Sequence, residues 1–363
     1  MSRHKSLSAP VQPGGTIGIL GGGQLGRMLA LAAARLGLKT HIYSDEDNAP
    51  AFQVSAFRTH ARYDNEAALA AFAGACDVVT FEFENVPSAT AEFLADHVPV
   101  NPSPKALAVC QDRLAEKNFV ASLGLKTPVF ASVASPNDAA AAIATVGTPA
   151  ILKTCRLGYD GKGQAKVASA RDVVTSLAAF KGAPSILEAF VDFSFEASVV
   201  AARGADGIFA AYDPPENAHE NHILKRSTVP SRLSAAQVTE AKAIARKIAD
   251  AFGYVGVFAV ELFVGRDGSL LVNEIAPRVH NSGHWTIEAC IVSQFEQHIR
   301  AVAGWPLGDG SRHSDAVMEN LIGAEANDWK ALSARGGALH LYGKSQARAG
   351  RKMGHITWLK PKS

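Results

Sequence analysis

A chain of 363 residues, 47% hydrophobic and 19% charged, has the make-up of an ordinary globular protein and the length for two or three domains of roughly 100–200 residues each. Its net charge of +2 offers no electrostatic footprint for nucleic acid or an anionic membrane surface, so any phosphate binding must come from local clusters. No apolar run reaches the roughly 18 residues that span a bilayer.

Met1 to Gly14 is polar, lacks an apolar secretory core and reads as a tail (1–14). Thr16 to Leu20 is a short apolar strand, followed by Gly21-Gly22-Gly23-Gln24-Leu25-Gly26 and an Ala/Leu-rich helix to about Leu36. Lys39 to Ser44 is a second strand, ending at Asp45. Glycines at 21, 23 and 26 with an acidic residue about twenty positions on meet the context test for a dinucleotide fingerprint, although the same geometry places any phosphate on a helix N-terminus. Alternation continues with a helix near 65–73, a strand at 77–81 and a helix near 88–97. Glu82 and Glu84 follow the strand at its carboxyl end, where open α/β sheets place ligand contacts.

Asn101-Pro102-Ser103-Pro104 breaks the pattern and closes a first domain at 15–103. A helix from Lys105 to Leu123 carries Gln111-Asp112-Arg113 and Lys117. Then Ile151 to Lys153 reads as a buried strand delivering one cation, and Gly158, Gly161 and Gly163 follow within six residues, with Lys162 between two of them. Glycines that close cannot pack a core, but they let backbone N–H groups approach an anion. The spacing is wrong for a Walker loop opening a helix, which leaves a glycine-rich flap between strands over a polyphosphate. Cys155 lies inside this stretch with no sequence-local base, so it reads as packing. With Cys76, Cys110 and Cys290 it makes four scattered cysteines, which fit reduced thiols in a cytoplasm.

Strands with period-two alternation beyond the flap, one of them carrying Glu196, indicate an antiparallel α+β lobe. Glu216-Asn217-Ala218-His219 reads as a polar loop, and Ser234 to Phe252 as an amphipathic helix. Val257 to Phe263 is then an apolar strand interrupted by Glu261. Asp267-Gly268 makes a hairpin turn, and the return strand carries Glu274. A charge inside such strands is expensive unless paired or metal-bound. Hairpin pairing brings the two carboxylates together, and they repel unless one is protonated or a divalent cation sits between them; hard oxygen ligands beside a phosphate loop favour Mg²⁺. Arg278 suits a bidentate oxyanion clamp, and His280 can move a proton near neutral pH. From about Ala303 a smaller unit begins (303–363), with Lys344 and Arg351-Lys352 in loops among its strands, as charge partners for a substrate phosphate.

Together these residues resemble the ATP-grasp superfamily and, more closely, the N5-carboxyaminoimidazole ribonucleotide synthetase family, over nearly the whole chain from Thr16 to Leu359. The marks are Gly-Gly-Gly-Gln-Leu-Gly-Arg-Met at 21–28, Gln-Asp-Arg at 111–113, Leu-Lys-Thr-Cys-Arg-Leu-Gly-Tyr-Asp-Gly-Lys-Gly-Gln at 152–164, Val-Asn-Glu-Ile-Ala-Pro-Arg-Val-His-Asn-Ser-Gly-His-Trp-Thr at 272–286 and Gly-Arg-Lys-Met-Gly-His at 350–355. The resemblance implies an α/β and α+β, three-domain ATP-grasp architecture: a Rossmann-like N-terminal domain, an ATP-grasp domain (104–302) with its flap, and a small C-terminal domain. It implies ATP contacts from Arg113, Lys153, Gly158, Tyr159, Asp160, Gly161, Lys162, Gly163, Gln164, Glu188, Ala189, Phe190, Val191, Glu196, His219, Asn273 and Glu274, and Mg²⁺ held by Glu261 and Glu274. The nucleotide substrate, 5-aminoimidazole ribonucleotide, would set its phosphate against Gln24, Leu25, Lys344, Arg351 and Lys352, and its imidazole against Glu82 or Glu84, Tyr159 and Asn281.

The implied reaction has bicarbonate attacking the γ-phosphate of ATP, with Lys153 and Arg278 neutralising charge, to give a labile carboxyphosphate under a closed flap. Carbon dioxide released there meets the aminoimidazole amine, whose proton goes to His280 or to a phosphate oxygen; Arg278, His280 and Lys344 are the catalytic candidates. The family also leads to an expected homodimer. A dinucleotide-dependent oxidoreductase rests only on Gly21–Gly26 and Asp45, and leaves the second glycine loop and the Glu261/Glu274 pair unexplained. Sister ATP-grasp enzymes, such as a formate-dependent glycinamide ribonucleotide transformylase or a biotin carboxylase, fit the wording of Asn281 to Trp285 poorly. A non-catalytic binding module would carry these polar positions without use.

Overall fold

A computed structural model of the chain describes residues 5–158 and 162–363. Among the described residues the strands form three sheets. The first holds β1 (Thr16–Leu20), β2 (Lys39–Ser44), β3 (Phe57–His60) and β4 (Val78–Phe81) in the order β3-β2-β1-β4, with all pairs parallel. Strands buried along most of their length, linked by Ala-rich helices at Gln24–Arg35 and Glu66–Gly74, give this Rossmann-like arrangement. Because β1 and β4 are neighbours, with Leu20 opposite Phe81, the Gly21–Gly26 loop and Glu82 leave the same edge side by side.

The second sheet is antiparallel: β5 (Phe130–Val133), β6 (Ala150–Thr154), β7 (Gln164–Val167) and β8 (Ser185–Ala189), in the order β5-β8-β6-β7. The glycine-rich stretch joins β6 to β7. Its near side closes where Thr154 N–H donates to the Gly163 carbonyl at 2.8 Å. Gly163 has φ +70°, and a Cβ there would stand 2.6 Å from Thr154 Oγ1, so glycine is required.

The largest sheet takes in β9 (Phe193–Arg203), β10 (Phe209–Ala211), β11 (Glu216–Glu220), β12 (Ile223–Val229), β13 (Gly256–Gly265), β14 (Leu270–Ala276), β15 (Ser314–Ile322), β16 (Ala338–Leu341) and β17 (Lys352–Pro361). Its order is β14-β13-β9-β11-β12-β15-β17-β16, with β10 paired to β9. The three C-terminal strands thus extend the central sheet and do not form one of their own. The helix Ala235–Phe252 starts at a Ser234/Gln237 capping box and ends at Gly253 in the left-handed region. Its Ile244 and Ile248 bury against Phe258 and Val260 of β13; each isoleucine contributes about 1.5–3 kcal/mol.

Two local expectations differ. The continuous helix from Lys105 to Leu123 is two helices, Pro104–Cys110 and Arg113–Ser122, because Asp112 leaves the helical conformation and its carboxylate accepts the N–H groups of Leu114 and Ala115 at 3.1 Å. The polar segment at Glu216–His219 is strand β11, not a loop: Asn217 is buried there, bonded to Ser198 on β9 and Ser227 on β12. Its polarity serves internal hydrogen bonds, not solvent.

Candidate active site

A cavity of about 880 Å³ opens between the two antiparallel sheets and reaches the edge of the first domain. It is lined by Arg113, Lys153, Gly158, Lys162, Gly163, Gln164, the Glu188–Val191 run, Glu196, His219, Asn273 and Glu274, together with Glu84, Glu261, Arg278, His280, Asn281 and Lys352. Tyr159, Asp160 and Gly161 lie outside the described residues. Ile151, Phe193, Phe195, Leu224 and Phe263 also line it and make one side apolar; Phe193 and Phe263 stack at 4.8 Å. These apolar residues were absent from the sequence-based site, although alternation along β9 and β13 was their signal.

Charge in the cavity is arranged in separate pairs. Glu188 is buried, 2.8 Å from Lys153 Nζ and 3.8 Å from Lys117 Nζ. Burial would raise its pKa, but the two ammonium groups outweigh that and hold the carboxyl below its usual range. Glu261 and Glu274 stand directly opposite one another on β13 and β14. Glu274 takes Arg113 at 3.1 Å, and the same guanidinium donates to the Gly158 carbonyl at 3.1 Å, tying flap to carboxylate. Glu261 takes His280 Nε2 at 3.1 Å. His280 is locked from behind: its N–H donates to Gln294 Oε1, its carbonyl accepts from Gln294 Nε2, and its Nδ1 meets Ser282 Oγ at 2.8 Å. Glu196 and His219 Nδ1 lie 2.6 Å apart; burial lowers the imidazole, but the carboxylate carries its pKa up overall.

At the inner end Arg278, just after β14, donates to Glu84, just after β4, and so joins the largest sheet to the first. Burial pushes the Glu84 carboxyl up, yet the Arg278 charge beside it dominates and brings it down to about 2. Asn281 has both side-chain polar atoms buried without a partner, as does Asn273 Oδ1. Buried polar atoms left so are rare and point to groups a ligand or water would complete.

Gln24, Leu25, Glu82, Lys344 and Arg351 lie outside this cavity but close to one another. Glu82 is buried and accepts the N–H groups of Gly23 at 2.7 Å and Gly26 at 3.1 Å. Its carboxylate therefore occupies the helix N-terminus where a dinucleotide pyrophosphate would sit, which removes the main support for the oxidoreductase reading. The first-turn amides of Gln24 and Leu25 stay outside that clasp. Gln53 brings the C-terminal loop over this corner: its Nε2 donates to the Gly343 carbonyl at 2.9 Å, while its Oε1 accepts from Arg27 at 2.7 Å. Lys344, which donates to the Lys352 carbonyl at 2.7 Å, feels both the nearby cations and Glu82. Burial, and then Arg351, push its ammonium down to about 8. Gln53 carried no sequence signal, since its partner Gly343 lies 290 residues along the chain, and Arg27 stood in the 21–28 mark with no role assigned to it.

A second titratable group lies deeper. Glu288, His340 and His355 bring ligand atoms within 4.8 Å of one another. The two imidazoles, however, stack 7° from parallel at 4.4 Å, so their in-plane lone pairs cannot converge on one ion.

Comparison with known proteins places this geometry. Three family models match: the ribonucleotide synthetase preATP-grasp domain over residues 15–111, the ATP-grasp domain over 118–295, and the phosphoribosylaminoimidazole carboxylase C-terminal domain over 316–363. The chain is 51% identical over 356 residues to the N5-carboxyaminoimidazole ribonucleotide synthase of Brucella melitensis, covering 97% of this chain and 98% of that protein. It is 39% identical over 354 residues to the Bacillus subtilis enzyme of the same name, covering 96% and 93%. Among solved structures, the Aspergillus clavatus N5-carboxyaminoimidazole synthase in complex with ADP and 5-aminoimidazole ribonucleotide superposes with a TM-score of 0.90 at 34% identity, over 96% of this chain and 95% of that one. The Thermus thermophilus synthetase gives 0.89 at 46% identity, over 95% and 93%.

Proposed function

The chain belongs to the ATP-grasp superfamily and, within it, to the N5-carboxyaminoimidazole ribonucleotide synthetase family, and from that premise we propose how its own residues divide the work. The protein is a carbon–nitrogen ligase of purine biosynthesis that carboxylates 5-aminoimidazole ribonucleotide at the expense of ATP. Bicarbonate is the carbon source in this reading, and carboxyphosphate the intermediate.

The observation that carries it is the meeting, in one cavity, of the flap, the Lys153–Glu188 pair and the opposed Glu261 and Glu274. The adenine lies on the apolar side, between Ile151 and the Phe193/Phe263 stack, and the triphosphate runs toward Lys153 and Arg113. Glu261, Glu274 and the unpartnered Asn273 Oδ1 are hard oxygen donors, and that donor set fits Mg²⁺. Glu261 and Glu274 would hold the ion, which would supply positive charge against the negative charge that develops in phosphoryl transfer.

The protein's own groups then do the following. Lys153 and Arg278 balance the spreading negative charge as bicarbonate oxygen bonds to the γ-phosphorus and the bond to the β-phosphate oxygen breaks, releasing ADP. The flap, tied to Arg113 through the Gly158 carbonyl, keeps water from the carboxyphosphate. That species breaks to carbon dioxide and phosphate. The exocyclic amine of the ribonucleotide attacks the carbon, and its proton passes to His280 or to the departing phosphate. Asn281 orients the imidazole, and the substrate phosphate rests on the Gln24 and Leu25 amides with Lys344, Arg351 and Lys352. Of the two candidate carboxylates, Glu84 lines the cavity and Glu82 holds the glycine loop, so Glu84 is the one that meets the ribonucleotide.

Residues 15–103, 104–302 and 303–363 are the proposed domain extents, behind a tail at 1–14. A homodimer in the cytoplasm completes the reading, on the family resemblance and four free cysteines. The test is phosphate release from ATP. It should require 5-aminoimidazole ribonucleotide with bicarbonate, and it should stay at background with glycinamide ribonucleotide and formate. Release with the second pair alone would replace this reading with the sister transformylase.

A further inference from the structure

The return strand β14 breaks its own alternation at the site. Glu261 faces Glu274, but the next pair is Leu262 with Val272, so Asn273 is an extra residue with no cross-strand partner. This is a β-bulge. Regular pleating would send Asn273 and Glu274 to opposite faces. Here both are part-exposed between buried Val272 and Ile275, and both line the cavity.

What holds the bulge is not on either strand. The helix Arg113–Ser122 lays two consecutive charged residues against it, both nearly fully buried. Lys117 Nζ donates to the Asn273 carbonyl at 2.6 Å and to the Val272 carbonyl at 3.3 Å. Glu116 Oε1 accepts the Ile275 N–H at 2.6 Å. The dipeptide thus grips the backbone on both sides of Glu274, along the edge of β14 that no strand among the described residues covers. Burying a Lys and a Glu is costly, and no packing need explains two ionisable residues there. Lys117 also stands 3.8 Å from Glu188, the partner of Lys153, so one ammonium faces both halves of the phosphate site.

We propose that Glu116 and Lys117 are positioning residues that fix the Asn273 bulge and thereby set the cation affinity of the Glu261/Glu274 pair. The cation part rests on the metal reading given above; the bulge part stands on the hydrogen bonds alone. Neither residue lines the cavity.

The test uses the full chain, with Mn²⁺ as the probe in the presence of ADP, followed by electron paramagnetic resonance, and with hydrogen exchange at the Ile275 amide. Outer-shell partners of metal ligands are worth about 10–100-fold in affinity. Lys117→Met and Glu116→Ala should each weaken Mn²⁺ binding at least about tenfold, while ADP binding in EDTA changes little. Glu116→Ala should speed exchange at Ile275, and Glu116→Gln, which keeps the acceptor, should restore both readouts. If Lys117→Met does not fold, Lys117→Arg keeps the charge but shifts the donors off the Asn273 carbonyl, and the same criterion applies. Wild-type Mn²⁺ affinity in Glu116→Ala and the Lys117 variant, with Glu274→Gln deficient, overturns the proposal. If Glu274→Gln also binds Mn²⁺ at full strength, the metal reading has failed instead. Exchange at Ile275 then decides the bulge, and an unchanged rate in Glu116→Ala rejects it.

Discussion

Glu261 and Glu274 face each other across adjacent strands, and each is held by a different partner: the His280 imidazole for the first, the Arg113 guanidinium for the second. Two carboxylates so placed repel less because each has its own hydrogen-bonding partner, and the proposed divalent ion would relieve the rest. Glu274→Gln keeps size and hydrogen-bonding capacity but removes the charge. Turnover should fall at least about 10²–10³-fold, as for loss of one preorganised electrostatic group, with the thermal midpoint little changed. Near-normal turnover at saturating Mg²⁺ would sink the metal assignment.

Lys344 makes a pH prediction. Burial and the Arg351 charge depress its pKa to about 8, from an ordinary value of 10.5. Below about 8 the ammonium is present and can hold the substrate phosphate; above it the charge is lost. KM for the ribonucleotide should therefore climb as pH passes 8, by up to about tenfold per unit, while kcat at saturation changes less. Stability runs the other way: the unfolded chain binds the extra proton between about pH 8 and 10.5, so folding gains from this group as pH rises there. Lys344→Arg keeps its charge and should flatten the KM profile. A wild-type profile flat from pH 7 to 9.5 would remove Lys344 from the phosphate site.

The sequence made the carboxylate pair legible because a hairpin turn at Asp267-Gly268 fixes register, and register is a local property. The flap was legible for a similar reason, three glycines being unable to pack a core. The bulge at Asn273 was not, since its determinants, Glu116 and Lys117, lie more than 150 residues upstream on a helix whose own sequence does not show what it packs against. Glu82 misled in the same way. Its neighbourhood with Gly23 arises from the pairing of β1 with β4, and without that contact the glycine run looks like an open phosphate site.

That contact is testable through glycine. Gly21 has φ +103°, and a Cβ there would lie 2.5 Å from Glu82 Cγ; at Gly23 it would lie 2.7 Å from Glu82 Oε1. Gly21→Ala meets both strain and a buried side chain, so it should destabilise by about 1–3 kcal/mol, in the range of overpacked cores. Gly23→Ala clashes with the end of the Glu82 side chain. In the Glu82→Ala background that clash disappears, and the added cost of Gly23→Ala should drop by more than half. Urea unfolding of the four proteins reads the coupling, and additive losses would show that Glu82 does not hold the loop.

Arg278 and Glu84 join the first domain to the ATP-grasp sheet, and both side chains are largely withdrawn from water. Removing one partner of such a pair leaves an uncompensated charge, at a cost of about 3–5 kcal/mol. Glu84→Gln should approach that loss at pH 7, and Glu84→Gln with Arg278→Gln should lose less than the sum of the single variants. The acid limb gives a second reading. Glu84 titrates near 2 when folded, against an ordinary value of 4.5, so its contribution is whole above about pH 4.5 and disappears as pH falls toward 2. Wild-type stability should therefore drop across that window, and the Glu84→Gln protein should lack that part of the slope. Equal acid slopes in the two proteins would mean the pair contributes nothing to holding the domains together.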